Sequence, residues 1–175
     1  MIQGQKVRLR ALEMQDLEVF MRWENGQDAY SGDTWIQPLS SFTAQSFIEQ
    51  ATRPIEETGQ LRLMICTNLN QPIGFVDLFD MNLLHRRAAV GLLIGDPHLR
   101  NQGYGNESLG LISDYAFNLL NLHILYADIR TDNEASLRTF AKAGFRVEGV
   151  FPEWIRHQGN WWSAARCFKI NPTEK

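Results

Sequence analysis

Residues 99–108 read LRNQGYGNES, an arginine and two glycines set between an apolar strand pattern and a helical one. Such a loop suits an anion: the first turn of a helix has main-chain N–H groups without partners and a partial positive charge. Gly103 and Gly105 let a phosphate approach the main chain, and Arg100 adds a full charge at the rim. Steric needs alone also put glycines between strands and helices, so the loop is a candidate site and nothing more at this point. A P-loop would need Gly-x-x-x-x-Gly-Lys, and no lysine lies between residues 7 and 141. A dinucleotide fold is closer, since Asp128 follows GYGNES at a suitable distance, but GDPHLRN separates the strand from the first glycine where that fold has none. Carboxylates offer a second chemistry. Asp77 and Asp80 recur along IGFVDLFD and are expected to share a strand face, while Glu24 closes the first helical stripe. A carboxylate can hold a cation or take a proton. His85, in the turn NLLHRR, reads as a surface histidine, and Cys66 and Cys167, in LMICT and ARCFKI, read as buried reduced thiols. No His, Cys or carboxylate group has metal-ligand spacing.

These residues need elements to hold them. KVRLRAL alternates as a first strand, and Leu17, Phe20, Met21 and Glu24 follow at helical spacing until Asn25 and Gly26. The turn-rich stretch QDAYSGDTWIQPLS holds Tyr30 and Trp35, rings that pack the loop onto the core or, less simply, wall a cation. A second helix is expected from Ser41 or Thr43, with Phe47, Ile48 and Ala51 on one side, ending before Pro54. LRLMICT, IGFVDLFDM and AAVGLLIG read as strands. The glycine loop then opens a helix carrying Leu109, Ile112, Ala116 and Leu119, HILYADIR is a strand, and Asn133 caps a short helix that Gly144 closes. FRVEGVFPEWIRH and NWWSAARCFKI form a closing hairpin around HQGN. The class is mixed α/β with a mostly antiparallel sheet.

Length and charge narrow the functions. The 175 residues suit one domain, with 44% hydrophobic and 21% charged residues and a net charge of -3. That balance argues against a general nucleic-acid binder. Residues 11–80 hold eleven acidic side chains against three arginines, and the remainder holds fourteen basic against nine acidic, so one part suits a cation and the other an anion. The polar N-terminus MIQGQKVRLR lacks a signal core and no apolar run reaches the roughly 18 residues of a membrane span, which predicts a cytoplasmic protein without a membrane partner.

Three segments, in order, resemble the GNAT superfamily of coenzyme A dependent N-acetyltransferases: IGDPHLRNQGYGNES its acyl-CoA loop, DNEASLRTFAKAGF its second cofactor motif, and VEGVFPEWIRHQGNWWSAARCFKI its closing hairpin. The resemblance implies one GNAT domain over residues 1–175, an α/β (α+β) fold with a mostly antiparallel central sheet of about six to seven strands flanked by about four helices. It implies acetyl-CoA as cosubstrate, held by Arg100, Asn101, Gln102, Gly103, Tyr104, Gly105 and Asn106, and by Asn133, Phe140 and Lys142. Main-chain N–H groups of Leu92, Leu93 and Ile94 would meet the thioester oxyanion.

Within that superfamily, IGFVDLFDMNLLHRRAAVGLLIG is similar to the branch of bacterial spermidine acetyltransferases and ribosomal-protein N-terminal acetyltransferases. The implied acceptor is a primary amine, either a polyamine-like small molecule or a peptide N-terminus. An alkyl amine with a pKa of about 10.4 must lose a proton to attack, and Asp77, then Glu24, are the implied catalytic carboxylates. Two positions depart from the pattern. Ile36 and Gln37 precede Pro38 where polyamine enzymes carry acids, and Phe140 stands where many members place a tyrosine acid. A phenyl ring donates no proton, so the alternative expectation is an acyl-CoA binding module with little turnover. Members often form homodimers, a further expectation, with Trp154, Trp161 and Trp162 in the last hairpin facing the core or a partner.

Overall fold

A computed structural model describes residues 1–26, 38–157 and 159–174. Tyr30, Trp35, Ile36 and Gln37 lie outside the described residues. The chain runs β1 (Ile2–Gln3), β2 (Val7–Ala11), α1 (Leu17–Glu24), α2 (Ser41–Gln50), α3 (Ile55–Thr58), β3 (Leu61–Thr67), β4 (Pro72–Asn82) and β5 (Arg87–Ile94). It continues through α4 (Tyr104–Asn118), β6 (Ile124–Arg130), α5 (Glu134–Lys142), β7 (Arg146–His157) and β8 (Asn160–Ile170). Among the described residues, eight strands form one sheet in the order β1-β2-β3-β4-β5-β6-β8-β7. Two short elements exceed the sequence expectation: β1, whose two residues fold back on Leu9 and Arg8 of β2, and α3, a single turn behind Pro54 closed by Gly59 at φ +65°. Neither is long enough to leave a periodic pattern.

Every strand pair is antiparallel except β5 with β6. Apolar side chains fill both faces. On one, α4 and α5 close over Val76, Leu78, Val90, Leu125 and Ala127, and on the other α1 and α2 bury Phe20, Ala44, Ile48 and Phe75. β3 and β4 are therefore buried on both sides, which is why they read as near-continuous apolar runs. Local chemistry sets the helix starts: the Ser40 hydroxyl accepts from Thr43 N–H at 3.1 Å, and the Asn133 side chain accepts from Ser136 N–H at 3.1 Å. At the far edge of the sheet Trp154 and Trp161 are exposed and Trp162 is half-buried. Among the described residues, no helix is long and apolar enough to cross a membrane.

Candidate active site

Parting of the one parallel pair makes the site. β5 and β6 are in register only from Arg87–Ile124 to Ala89–Tyr126, and beyond that rung they diverge. Main-chain groups of residues 90–94 that would face β6 thus lack a strand partner, and an extended ligand carrying amides can continue the ladder. Beside the α4 loop the opening is a groove of about 400 Å3, and it widens to a cleft of about 1000 Å3. Leu92, Leu93, Asn133 and Ser136 line both.

The groove gathers the predicted cofactor residues Leu92, Leu93, Ile94, Arg100, Asn101, Gly103, Tyr104, Gly105, Asn106, Asn133 and Lys142. Gln102 is turned away, its amide donating to His98 O at 2.8 Å, and Phe140 lines the wider cleft instead. Gly103 caps α4 at φ +89° and, among the described residues, no side chain caps that end, which leaves the first N–H groups of the helix open to a ligand. Asn101, at φ +62°, adds a second left-handed residue to the loop. Asn106 Oδ1 is buried without a hydrogen-bond partner among the described residues. An anion cradle beside an orphaned acceptor fits a ligand that carries both phosphates and N–H groups. Gly105, read from sequence as room for a phosphate, also has a packing reason: a Cβ there would lie 3.0 Å from Leu92 Cδ2 and 3.5 Å from Thr139 Cγ2. Arg100 Nε donates to Ile94 O at 3.2 Å and so fastens the loop to the end of β5.

The wider cleft is organised by a residue that sequence reasoning missed. Arg62, on β3, is buried and donates from Nε and Nη2 to the two oxygens of Asp77 at 2.6 Å each. Its Nη1 donates to Glu24 at the end of α1. Burial works to lower the Arg62 pKa, and Asp77 and Glu24 more than reverse this, so the guanidinium stays charged. The rings of Phe20, Phe47 and Phe75 lie 5.5, 5.0 and 4.3 Å from its central carbon. Two carboxylates around one cation leave a net negative charge. The signal was present in LRLMICT, whose one charged residue sits inside an apolar strand and needs a buried partner.

Asp80 joins the same cleft for a reason the sequence pattern does not contain. Residues three apart on a regular strand point to opposite faces. The β4–β5 register shifts between Phe79 and Asn82, with Asp80 at φ +47°, and this bulge turns Asp80 into the cleft. There it accepts a hydrogen bond from the Tyr126 hydroxyl. Burial, then the bond to Asp80, pushes the Tyr126 phenol up to about 12. Arg166 stacks 5.3 Å from the Tyr126 ring and donates to both oxygens of Asp128 at 2.7 and 2.6 Å. Asp128 is thereby occupied within the protein, which removes the ribose contact of a dinucleotide fold.

Phe140 is 3% exposed and meets Phe145 edge-on at 5.0 Å, so it packs the core while bordering the cleft. His85 is exposed, and its main-chain N–H donates to Asn82 at 2.8 Å. Both cysteines are free and buried, and burial pushes their thiols up.

The family model for the acetyltransferase (GNAT) domain matches residues 6–146. A spermidine N(1)-acetyltransferase of Vibrio cholerae is 26% identical over 164 residues, covering 93% of this chain and 92% of the relative. That of Escherichia coli is 28% identical over 161 residues, covering 91% and 83%. Among solved structures, the Vibrio cholerae spermidine N-acetyltransferase in complex with CoA and spermine superposes with a TM-score of 0.83 at 22% identity, covering 96% of this chain and 97% of that one.

Proposed function

Because the chain belongs to the GNAT acetyltransferase family and is an acetyl-CoA dependent N-acetyltransferase, we propose that the amine it acetylates is a polyamine. The observation that carries this reading is the surplus negative charge of Glu24 and Asp77 around Arg62, with Asp80 in the same cleft. A cation of several ammonium groups is matched by such a wall. The relatives named as spermidine enzymes point the same way.

Acetyl-CoA supplies an acyl thioester: the amine nitrogen bonds to the carbonyl carbon, the carbon–sulfur bond breaks, and coenzyme A leaves as a thiolate. Main-chain N–H groups among Leu92, Leu93 and Ile94 stabilise the negative oxygen of the tetrahedral stage. The ammonium must first lose a proton. Asp77, the first candidate from sequence, has both oxygens on Arg62, whereas Glu24 keeps one oxygen without a partner among the described residues. Glu24 therefore takes the proton, and Asp77 holds Arg62 and the local field. Phe140 offers no proton to sulfur, yet a thiolate with a pKa of about 8.5 can depart and be protonated by water. Binding without turnover is accordingly not favoured.

The test is thiol release from acetyl-CoA with spermidine, spermine, butylamine and a short peptide. The expected result is a kcat/KM for the polyamines well above that for butylamine. Release with the peptide alone would replace the polyamine by a protein N-terminus.

A further inference from the structure

The turn between β1 and β2 is fastened to the first turns of α4. Main-chain N–H groups of Gln5 and Lys6 donate to the Glu107 carboxylate, the latter at 3.0 and 3.1 Å. Gly4 has no space for a side chain there, since a Cβ would fall on that carboxylate and 2.9 Å from Leu111 Cδ1. This clamp fixes where Lys6 reaches. Its Nζ donates to Gln102 O at 3.1 Å, and a Cβ on Gly103 would lie 3.4 Å from the same nitrogen.

The ammonium thus stands at the uncapped start of α4, and among the described residues its partner is a neutral carbonyl rather than a carboxylate. Two of its three donors remain for a ligand. A shallow surface groove that includes Lys6 runs on from the cofactor groove, the two sharing Gly103, Asn106 and Lys142. Coenzyme A is a linear molecule with a diphosphate in its middle and a 3′-phosphate at its nucleotide end. With its pantetheine arm along β5 in the groove beside the glycine loop, its phosphates would lie within reach of this loop.

We propose that Lys6 is a cofactor-binding residue whose ammonium, together with that of Lys142, holds a phosphate of coenzyme A. This rests on the acetyl-CoA dependent reading above. In the folded protein it places the N-terminal turn and the glycine loop on one ligand group.

The experiment is calorimetry of coenzyme A and of dephospho-coenzyme A binding to wild type, Lys6→Met and Lys6→Arg, at low and moderate salt. Lys6→Met is expected to raise the Kd for coenzyme A about tenfold, as loss of one charged hydrogen bond does, with Lys6→Arg close to wild type. The salt dependence of Lys6→Met should be shallower, a change that a merely structural role would not produce. Loss confined to coenzyme A assigns the 3′-phosphate, and equal loss for both compounds assigns the diphosphate. Lys6→Met binding both compounds like wild type overturns the proposal and leaves the enzyme's reaction untouched. Wild-type protein binding neither compound would overturn the cofactor reading itself.

Discussion

Gly91 shows how much one missing side chain decides. It pairs with Asp77 across β4 and β5, and a Cβ on it would lie 3.6 Å from Asp77 Oδ2 and 3.4 Å from Phe79. Those are ordinary contacts, so Gly91→Ala should fold normally while covering the carboxylate on its cleft side. We expect KM for the amine to rise severalfold with coenzyme A affinity unchanged, measured by initial rates beside calorimetry. Asp77→Asn is a blunter probe, because it also breaks the buried pair with Arg62. Tyr126 makes a pH-dependent contribution. Its folded pKa of about 12 lies above the ordinary 10, so the unfolded chain releases this proton first. Stability tied to the phenol is present below pH 10 and is lost as the pH rises to about 12. Thermal melts across that window should fall less steeply for Tyr126→Phe than for wild type.

At the scale of elements, Arg62 is the joint between α1, β3 and β4. A buried charge with both partners in place contributes modestly, but removing one member strands the others. Arg62→Ala leaves two buried carboxylates and is expected to lower stability by about 3–5 kcal/mol, read from urea unfolding. Arg62→Ala/Asp77→Asn/Glu24→Gln should recover part of that loss, since no uncompensated charge remains. The start of α4 is the second such joint. The left-handed Gly103 and the clamp of Glu107 on residues 5 and 6 set the loop before any ligand arrives.

For the whole molecule, the uneven charge of the sequence acquires a spatial meaning. Glu24, Asp77 and Asp80, from the acidic stretch, border the wide cleft, while Arg100 and Lys142, from the basic remainder, border the groove beside the glycine loop. Lys6 stands just outside it. The carboxylates around Arg62 and Tyr126 form one wall that suits a cationic acceptor, although Arg62, Arg130, Arg156 and Arg166 also border the cleft and balance its four carboxylates. Coenzyme A at 100 times its Kd should stabilise the native state by about 2.7 kcal/mol, and NAD should leave the melting temperature unchanged. A thermal shift with both compounds measures this directly.

The glycine loop, the Asn133 cap and the order of strands and helices were legible in the sequence because each is local. A loop of consecutive residues and a helix start carry their geometry in their own residue types, and helical and strand periods do the same for their faces. The acceptor end is different. Arg62 meets Asp77 across 15 residues through the register of β3 on β4, and Glu24 across 38 residues through the packing of α1 against the sheet. Asp80 reaches the cleft only through a bulge that breaks the alternation of its strand, and Lys6 reaches the loop only because Glu107 holds a turn a hundred residues away in the chain. Which chemical groups the protein carries was written in the sequence, whereas their pairing was decided by tertiary structure, because a buried charge takes as its partner whatever the packed strands set beside it.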